Sequence, residues 1–356
     1  MKHSIIPVFI PHIGCPYRCV FCNQWRITGH HDVPTGESVT RQIASYVAGH
    51  GDRYWEVAFY GGSFTAIPVR LQEELLQPAY EALQRGMIQG IRCSTRPDCI
   101  DESVLGRLRS YGLETVELGV QSMDDYVLQQ AKRGHTAQDV RQATALLKDN
   151  GFTVGHQLMP GLPGEDWDSL TKTTEAICLL QPDMTRIYPV AVIAQTELAD
   201  LYEAGQYEPL SIAEGIRQAA YMKQAFLRHH IPCIRTGLQA TTDLDDGVQV
   251  LGGAYTPAMG ELVDTYRYRQ LLMPVLAQMK SDETITIYYH RRETSRVRGY
   301  HNVTMKCIAQ RFGKGISWKE DNDLPLSQIK ISGTDFVYTI DTNTTAISKQ
   351  KRQSSK

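Results

Sequence analysis

Short β-branched or aromatic runs alternate with longer stretches of helical period over the first two thirds of the chain. The runs Ile5–Ile10, Glu56–Tyr60, Gly90–Ser94, Thr115–Val120, Thr153–Leu158 and Met184–Val190 predict strands. Between them apolar residues recur at three- and four-residue steps. Val39, Ile43 and Val47 mark one face of Ser38–Ala48, and Leu71, Leu75, Leu76, Tyr80 and Leu83 mark one face of Val69–Gln84. Asp101–Tyr111, Thr136–Asp149 and Asp166–Leu180 are further predicted helices. Thr136 with Asp139 resembles a capping box, and Ser211 with Glu214 is a fuller one that opens a helix to about His229.

Six strand–helix units in succession predict a parallel sheet. Short strands followed by Gly- and Pro-rich loops favour a curled sheet over a flat one. The predicted class is α/β, a partial (β/α)6 TIM-like barrel over residues 1–240. In such folds the chemistry sits at the carboxyl ends of the strands. The pattern changes from about Glu261. Helices over Glu261–Met279 and Asn302–Phe312, with strands at Thr284–Tyr289, Ile329–Ile331 and Phe336–Ile340, predict a small C-terminal α+β domain over 241–345. The polar, basic stretch 346–356 is expected to be a disordered tail.

Composition narrows the class. The chain has 356 residues and a net charge of −2, so a uniformly basic nucleic-acid coat is excluded while a local basic patch is not. No run approaches the roughly 18 apolar residues of a membrane span, and Pro7 interrupts the short N-terminal run. A cytoplasmic protein without a membrane partner is expected. In a reducing compartment, clustered cysteines point to metal binding.

Three of the eight cysteines are clustered, as Cys15-Pro-Tyr-Arg-Cys19-Val-Phe-Cys22, directly after the first predicted strand. Three thiolates at these spacings converge if the loop curls. Tetrahedral zinc takes a fourth ligand, which a distant residue such as His12 or His30 would have to supply. A four-iron cluster on three thiolates leaves one iron open to an outside ligand. The other five cysteines are scattered and read as packing residues.

This spacing after the first strand of an α/β barrel, with the aromatic Phe21 before the last cysteine, resembles the radical S-adenosylmethionine superfamily. The resemblance implies a [4Fe–4S] cluster on Cys15, Cys19 and Cys22, with S-adenosylmethionine chelating the open iron and yielding a 5′-deoxyadenosyl radical on reduction. It implies an electron donor such as flavodoxin or ferredoxin. It also implies a glycine segment after the second strand that binds the methionine amino group, for which Gly61, Gly62 and Ser63 stand in place. Ser63 replaces the acidic residue common there.

Later segments resemble the radical half of the elongator catalytic subunit, which modifies wobble uridine in tRNA. They are Thr95-Arg-Pro-Asp98, Gly119-Val-Gln-Ser122, Arg133-Gly-His-Thr136, Met159-Pro-Gly-Leu-Pro-Gly164 and the stretch from Ile187 to Leu198. By that resemblance Gln121 and Arg133 contact the ribose or carboxylate of the cofactor. Ser94 stands where relatives carry a Glu, and Gln157 is a further polar candidate at the barrel mouth. Arg96 and Asp98 form an ion pair or face substrate. No acetyl-CoA glycine signature follows Gly237, so acetyl transfer is not implied. A small-molecule or porphyrin-type radical enzyme, and a non-enzymatic cluster-binding protein, remain alternatives. Between Tyr289 and Lys314 lie Arg291, Arg292, Arg296, Arg298, Lys306, Arg311 and Lys314 with only Glu293 opposed, interleaved with tyrosines. Such a patch suits contact with tRNA or another RNA.

Overall fold

A computed structural model describes residues 2–10, 13–23, 32–49, 53–238, 249–279, 283–313 and 315–351. His12 and His30, named above as distant zinc ligands, lie outside the described residues. Seven parallel strands form one sheet: β1 (Lys2–Ile10), β2 (Arg53–Gly61), β3 (Gly90–Thr95), β4 (Thr115–Gln121), β5 (Thr153–Leu158), β6 (Met184–Ile187) and, past a separate β7 (Ala191–Ile193), β8 (Cys233–Thr236). Their crossovers carry helices α1 (Gly36–Val47), α2 (Val69–Gln84), α3 (Glu102–Ser110), α4 (Asp125–Gln130), α5 (Ala137–Asp149), α6 (Trp167–Leu180), α7 (Glu197–Glu203) and α8 (Ile212–Arg228).

The sheet curls. Arg186 on β6 donates to the Tyr60 hydroxyl on β2 at 2.8 Å, although three strands separate them in sheet order. At about 4.8 Å per strand a flat sheet would hold these strands roughly 19 Å apart. The expected partial barrel is therefore present, with a seventh strand, Cys233–Thr236, beyond the six expected.

Helix starts follow their local chemistry. Thr136 and Asp139 make the reciprocal capping box that opens α5. Ser211 accepts from the Glu214 amide at the start of α8, but the return bond is missing because the Glu214 carboxylate is taken by Arg217 and the Trp167 indole. The single strand expected over Met184–Val190 breaks at Tyr188-Pro189, since proline brings no amide to a ladder. The chain resumes as β7, which pairs antiparallel with β9 (Val250–Gly253).

That pairing corrects the expected boundary at 240, because residues 250–253 still join a barrel-side segment. Next come α9 (Met259–Leu276), β10 (Ile285–Tyr289), α10 (Thr294–Arg298), α11 (Val303–Phe312), β11 (Ile316–Glu320), β12 (Gln328–Ser332), β13 (Phe336–Asp341) and β14 (Ile347–Lys351). The last five strands form a second sheet ordered β11-β10-β12-β13-β14 with its own apolar core. The tail expected from 346 is thus ordered to Lys351. Its alternating Ile347, Lys349 and Lys351 offer backbone groups to the open edge of β13. Buried Asp264 on α9 pairs with Lys223 of α8 at 2.7 Å, Arg267 at 3.0 Å and Arg296 of α10 at 3.3 Å, and so ties the second unit to the barrel.

Candidate functional site

The cysteine loop leaves the end of β1 and crosses the barrel mouth. The Val20 amide donates to Ala131 at 3.2 Å, and the Leu198 amide returns to Val20 at 2.8 Å. Val20 and Phe21 are buried with Val127, Leu162, Val192 and Leu198, so Phe21 acts in the structure as an anchor for the loop. The Cys22 amide closes a turn onto the Cys19 carbonyl at 3.1 Å. Cys15 is exposed as a residue, while Cys19 and Cys22 are half-buried. Among the described residues no three His, Cys, Asp or Glu side chains gather to hold a single metal ion.

Two buried arginines face this loop. Arg133 donates from Nη1 to Cys19 Sγ at 3.2 Å and from Nη2 to the Gly119 carbonyl at 2.5 Å, and its Nε has no partner among the described residues. Arg96 grips both oxygens of Asp98 at 2.9 Å and the Arg133 carbonyl at 2.5 Å, stacks over the exposed Tyr17 ring, and leaves Nη1 without a partner among the described residues. Of the two readings open for Arg96 and Asp98, the ion pair is the one formed. Desolvation pushes the Cys15 thiol up. The Ser63 amide, Arg133 and Arg96 oppose that rise, whereas neighbouring Cys19 adds to it.

Gly61 and Gly62 lie against backbone. A Cβ on Gly62 would stand 2.5 Å from the Ile13 carbonyl, and one on Gly61, at φ +107, would meet the Ile10 carbonyl at the same distance. The Gly62 amide donates to that Ile10 carbonyl at 2.7 Å. The pair therefore lets β2 close onto the root of the cysteine loop. Ser63 is buried, its hydroxyl shared with Thr95 at 2.8 Å and reached by the Arg96 amide at 3.2 Å.

Across the mouth Gln157 donates to Gln121 at 3.3 Å. Gln121 has φ +69, beside a register shift at the end of β4, an uncommon backbone for a non-glycine. A Cβ on Gly119 would come within 2.9 Å of the Gln121 amide nitrogen and 3.1 Å of Arg133. Cys19, Arg133, Gly119, Gln121 and Gln157 are thus one connected row. Cys15 and Ser63 form a second group with Thr95 and Arg96. The half-buried Ser94 side chain hydrogen-bonds to neither among the described residues.

Sequence reasoning missed three parts. Cys99, assigned to packing, lies beside the Cys15 group: burial and then Asp98 push its thiol up, Ser63 and Arg96 oppose the rise, and Cys15 adds a smaller push. Tyr17 covers Arg96. The barrel lumen holds a charged lattice in which Arg92 pairs with Glu56 and, at 2.9 Å, with Glu117, while Arg186 binds Glu117 at 2.5 and 3.0 Å. Charges at alternating positions of otherwise apolar strands were the available signal.

Residues 9–177 match the family described as the Radical SAM superfamily, and residues 182–269 match its C-terminal domain. The chain belongs to the radical SAM superfamily. Membership makes it an enzyme whose cofactors are a [4Fe–4S] cluster and S-adenosylmethionine. The tRNA uridine(34) acetyltransferase of Methanocaldococcus jannaschii is 31% identical over 243 residues, which are 62% of this chain and 43% of that protein. Elongator complex protein 3 of Homo sapiens is 30% identical over 193 residues, 48% of this chain and 35% of it. The chain spans about half the length of the curated relatives it matches or less. Among solved structures, archaeal Methanocaldococcus infernus Elp3 with an N-terminal deletion gives a TM-score of 0.60 at 21% identity. The match covers 97% of this chain and 76% of that one, a likeness of fold. No helix among the described residues is long and apolar enough to cross a membrane.

Proposed function

We propose that this radical SAM enzyme holds its cluster on Cys15, Cys19 and Cys22 and acts on tRNA. The bond from Arg133 to Cys19 carries the reading of the site. It joins the cysteine loop to the row of polar groups at the strand ends and places a permanent cation beside a thiol. Two buried guanidinium groups with, among the described residues, only the Asp98 carboxylate paired to them leave local positive charge, which suits thiolate ligands and a carboxylate-bearing cofactor. A cluster takes each thiolate on a different iron, so its ligands need not meet at one point as those of a single ion do.

When bound, the reduced cluster supplies the electron that cleaves S-adenosylmethionine to a carbon radical. The chain's own residues bind and orient. Arg133 holds Cys19, and its buried Nε has no partner among the described residues. Gln121 and Gln157 present amides there for ribose or carboxylate oxygens, and Ser63 fixes the turn after β2. Phe21 and its apolar neighbours keep water from one side of the loop. Ser94 offers an unengaged hydroxyl on the lumen side. A reduced flavodoxin or ferredoxin as electron donor completes the proposal.

For the substrate, relatives named for tRNA uridine(34) support tRNA. The basic patch supports it with Arg291, Arg292, Lys306 and Arg311, which are exposed. Arg296 and Arg298 contribute less than expected. The first is paired with Glu293 and Asp264, and the second donates to the Tyr289 hydroxyl at 2.6 Å. Acetyl transfer is not part of the proposal. The test is iron and sulfide content after anaerobic reconstitution of Cys15→Ala, Cys19→Ala and Cys22→Ala. Each should lose the cluster while Cys178→Ala keeps it, and a full cluster in Cys19→Ala contradicts the assignment.

A further inference from the structure

We infer that Arg235 and Tyr188 form an oxyanion-binding subsite at the open edge of the barrel, which receives a phosphate or carboxylate group of the substrate. Arg235 lies on β8, the last strand of the sheet, and is the direct register partner of Arg186 on β6. Two like charges side by side on neighbouring strands repel unless something of opposite charge accompanies both. For Arg186 that partner is Glu117, bound through Nε and Nη2, with the Tyr60 and Tyr188 hydroxyls filling its remaining positions. For Arg235 there is none. Its Nε donates to the Gly237 carbonyl at 3.2 Å, and among the described residues no carboxylate pairs with it.

Among the described residues Glu56 and Glu117 pair with Arg92 and Arg186, with His3 also on Glu56, and neither carboxylate reaches Arg235. Tyr188 adds a second donor. Its hydroxyl accepts from Arg186 at 3.3 Å, and among the described residues its own hydrogen has no acceptor. Burial pushes this phenol up and keeps it protonated, while the Arg235 guanidinium is near enough to oppose part of the rise. A planar fork and a neutral O–H together suit an oxygen anion, because the fork can meet two oxygens at once.

The place is informative as well. Arg186 is the register partner of Gln157, so this pair of donors sits beside the polar row that leads back to Arg133 and Cys19. A group anchored there lies along the mouth, where a substrate must approach. That the anion is carried by the substrate rests on the radical-enzyme reading above. That Arg235 binds an oxyanion does not.

The test titrates the full, anaerobically reconstituted chain with sodium phosphate and with sodium acetate, against sodium chloride at matched ionic strength, and follows Tm. In the parent, phosphate or acetate should raise Tm saturably and beyond chloride. The fitted Kd should weaken about tenfold or more in Arg235→Gln and less in Arg235→Lys and Tyr188→Phe. Far-UV circular dichroism and the anion-free Tm check each variant's fold. Tighter binding of phosphate identifies a phosphoester, and tighter binding of acetate a carboxylate. Equal Kd in parent and Arg235→Gln overturns the subsite, as does stabilisation no greater than that by chloride. Iron and sulfide are measured in the same samples. A parent that takes up no cluster, yet loses phosphate binding on Arg235→Gln, would sink the radical-enzyme reading and leave the anion site standing.

Discussion

Arg133 donates to the Cys19 thiol at 3.2 Å across 114 residues of sequence. The same guanidinium reaches the Gly119 carbonyl, so the loop after β1 and the end of β4 are held by one side chain. That fixes the cysteine loop over the strand ends without any covalent link.

Replacing Arg133 tests that role. In Arg133→Gln the loop keeps its apolar anchors at Val20 and Phe21, so iron and sulfide should stay near the parent's values. S-adenosylmethionine should bind about tenfold or more weakly, because a charge-assisted hydrogen bond contributes roughly 1.5–3 kcal/mol. Titration of the reconstituted protein reads this, and unchanged affinity would place the carboxylate elsewhere.

Gly62→Val should damage more than cofactor binding. The new side chain would meet the Ile13 carbonyl at the root of the cysteine loop. Both cluster content and S-adenosylmethionine affinity should therefore fall, by severalfold or more. Sequence alone suggests only the second effect. Full iron loading in this variant would show that the loop and the Gly-Gly turn are independent.

Much of the barrel could be read from the chain, because each strand–helix unit buries its own apolar face and leaves a local periodic trace. The seventh strand could not. Cys233–Thr236 is four residues long, half-buried or exposed, and carries an arginine, so it has no apolar run to detect. The order of Ile347–Lys351 depends on a neighbouring strand edge, which composition does not record. In the site, the cysteine spacing was visible since chemistry demands it within one loop. Tyr17 lies within that loop, but Arg96 and Cys99, which meet it and Cys15, arrive from the segment after β3, and loop spacing does not record that approach.

Acid sensitivity should come partly from His156. It is 1% exposed and shares a hydrogen bond with Thr144 at 2.9 Å. Burial, with help from Lys148, lowers its pKa from 6.5 to about 3. Between those values the unfolded chain binds more protons, so stability is present above pH 6.5 and is lost as pH falls below it. From pH 7 to pH 5 this group alone should remove about 2 kcal/mol. His156→Gln should flatten the denaturation profile by that amount, and a parallel profile would mean the ring is accessible to protons in the fold.

Binding of tRNA should depend on salt through the exposed arginines. Replacing Arg291 and Arg292 by Ser should flatten the logarithmic salt dependence by about one unit for every phosphate that the variant no longer neutralises. Arg296→Ser should instead lower stability, since it breaks pairs with Asp264 and Glu293. Equal slopes in parent and double variant would move the RNA-binding surface off this face.

The most direct measurement is product formation from the cofactor itself. Anaerobically reconstituted protein, reduced with dithionite and supplied with S-adenosylmethionine, is assayed for 5′-deoxyadenosine. The account predicts that the parent forms it and that Cys19→Ala does not. A fully cluster-loaded, reduced parent that binds S-adenosylmethionine and yields no 5′-deoxyadenosine would contradict it, as would equal yield from Cys19→Ala.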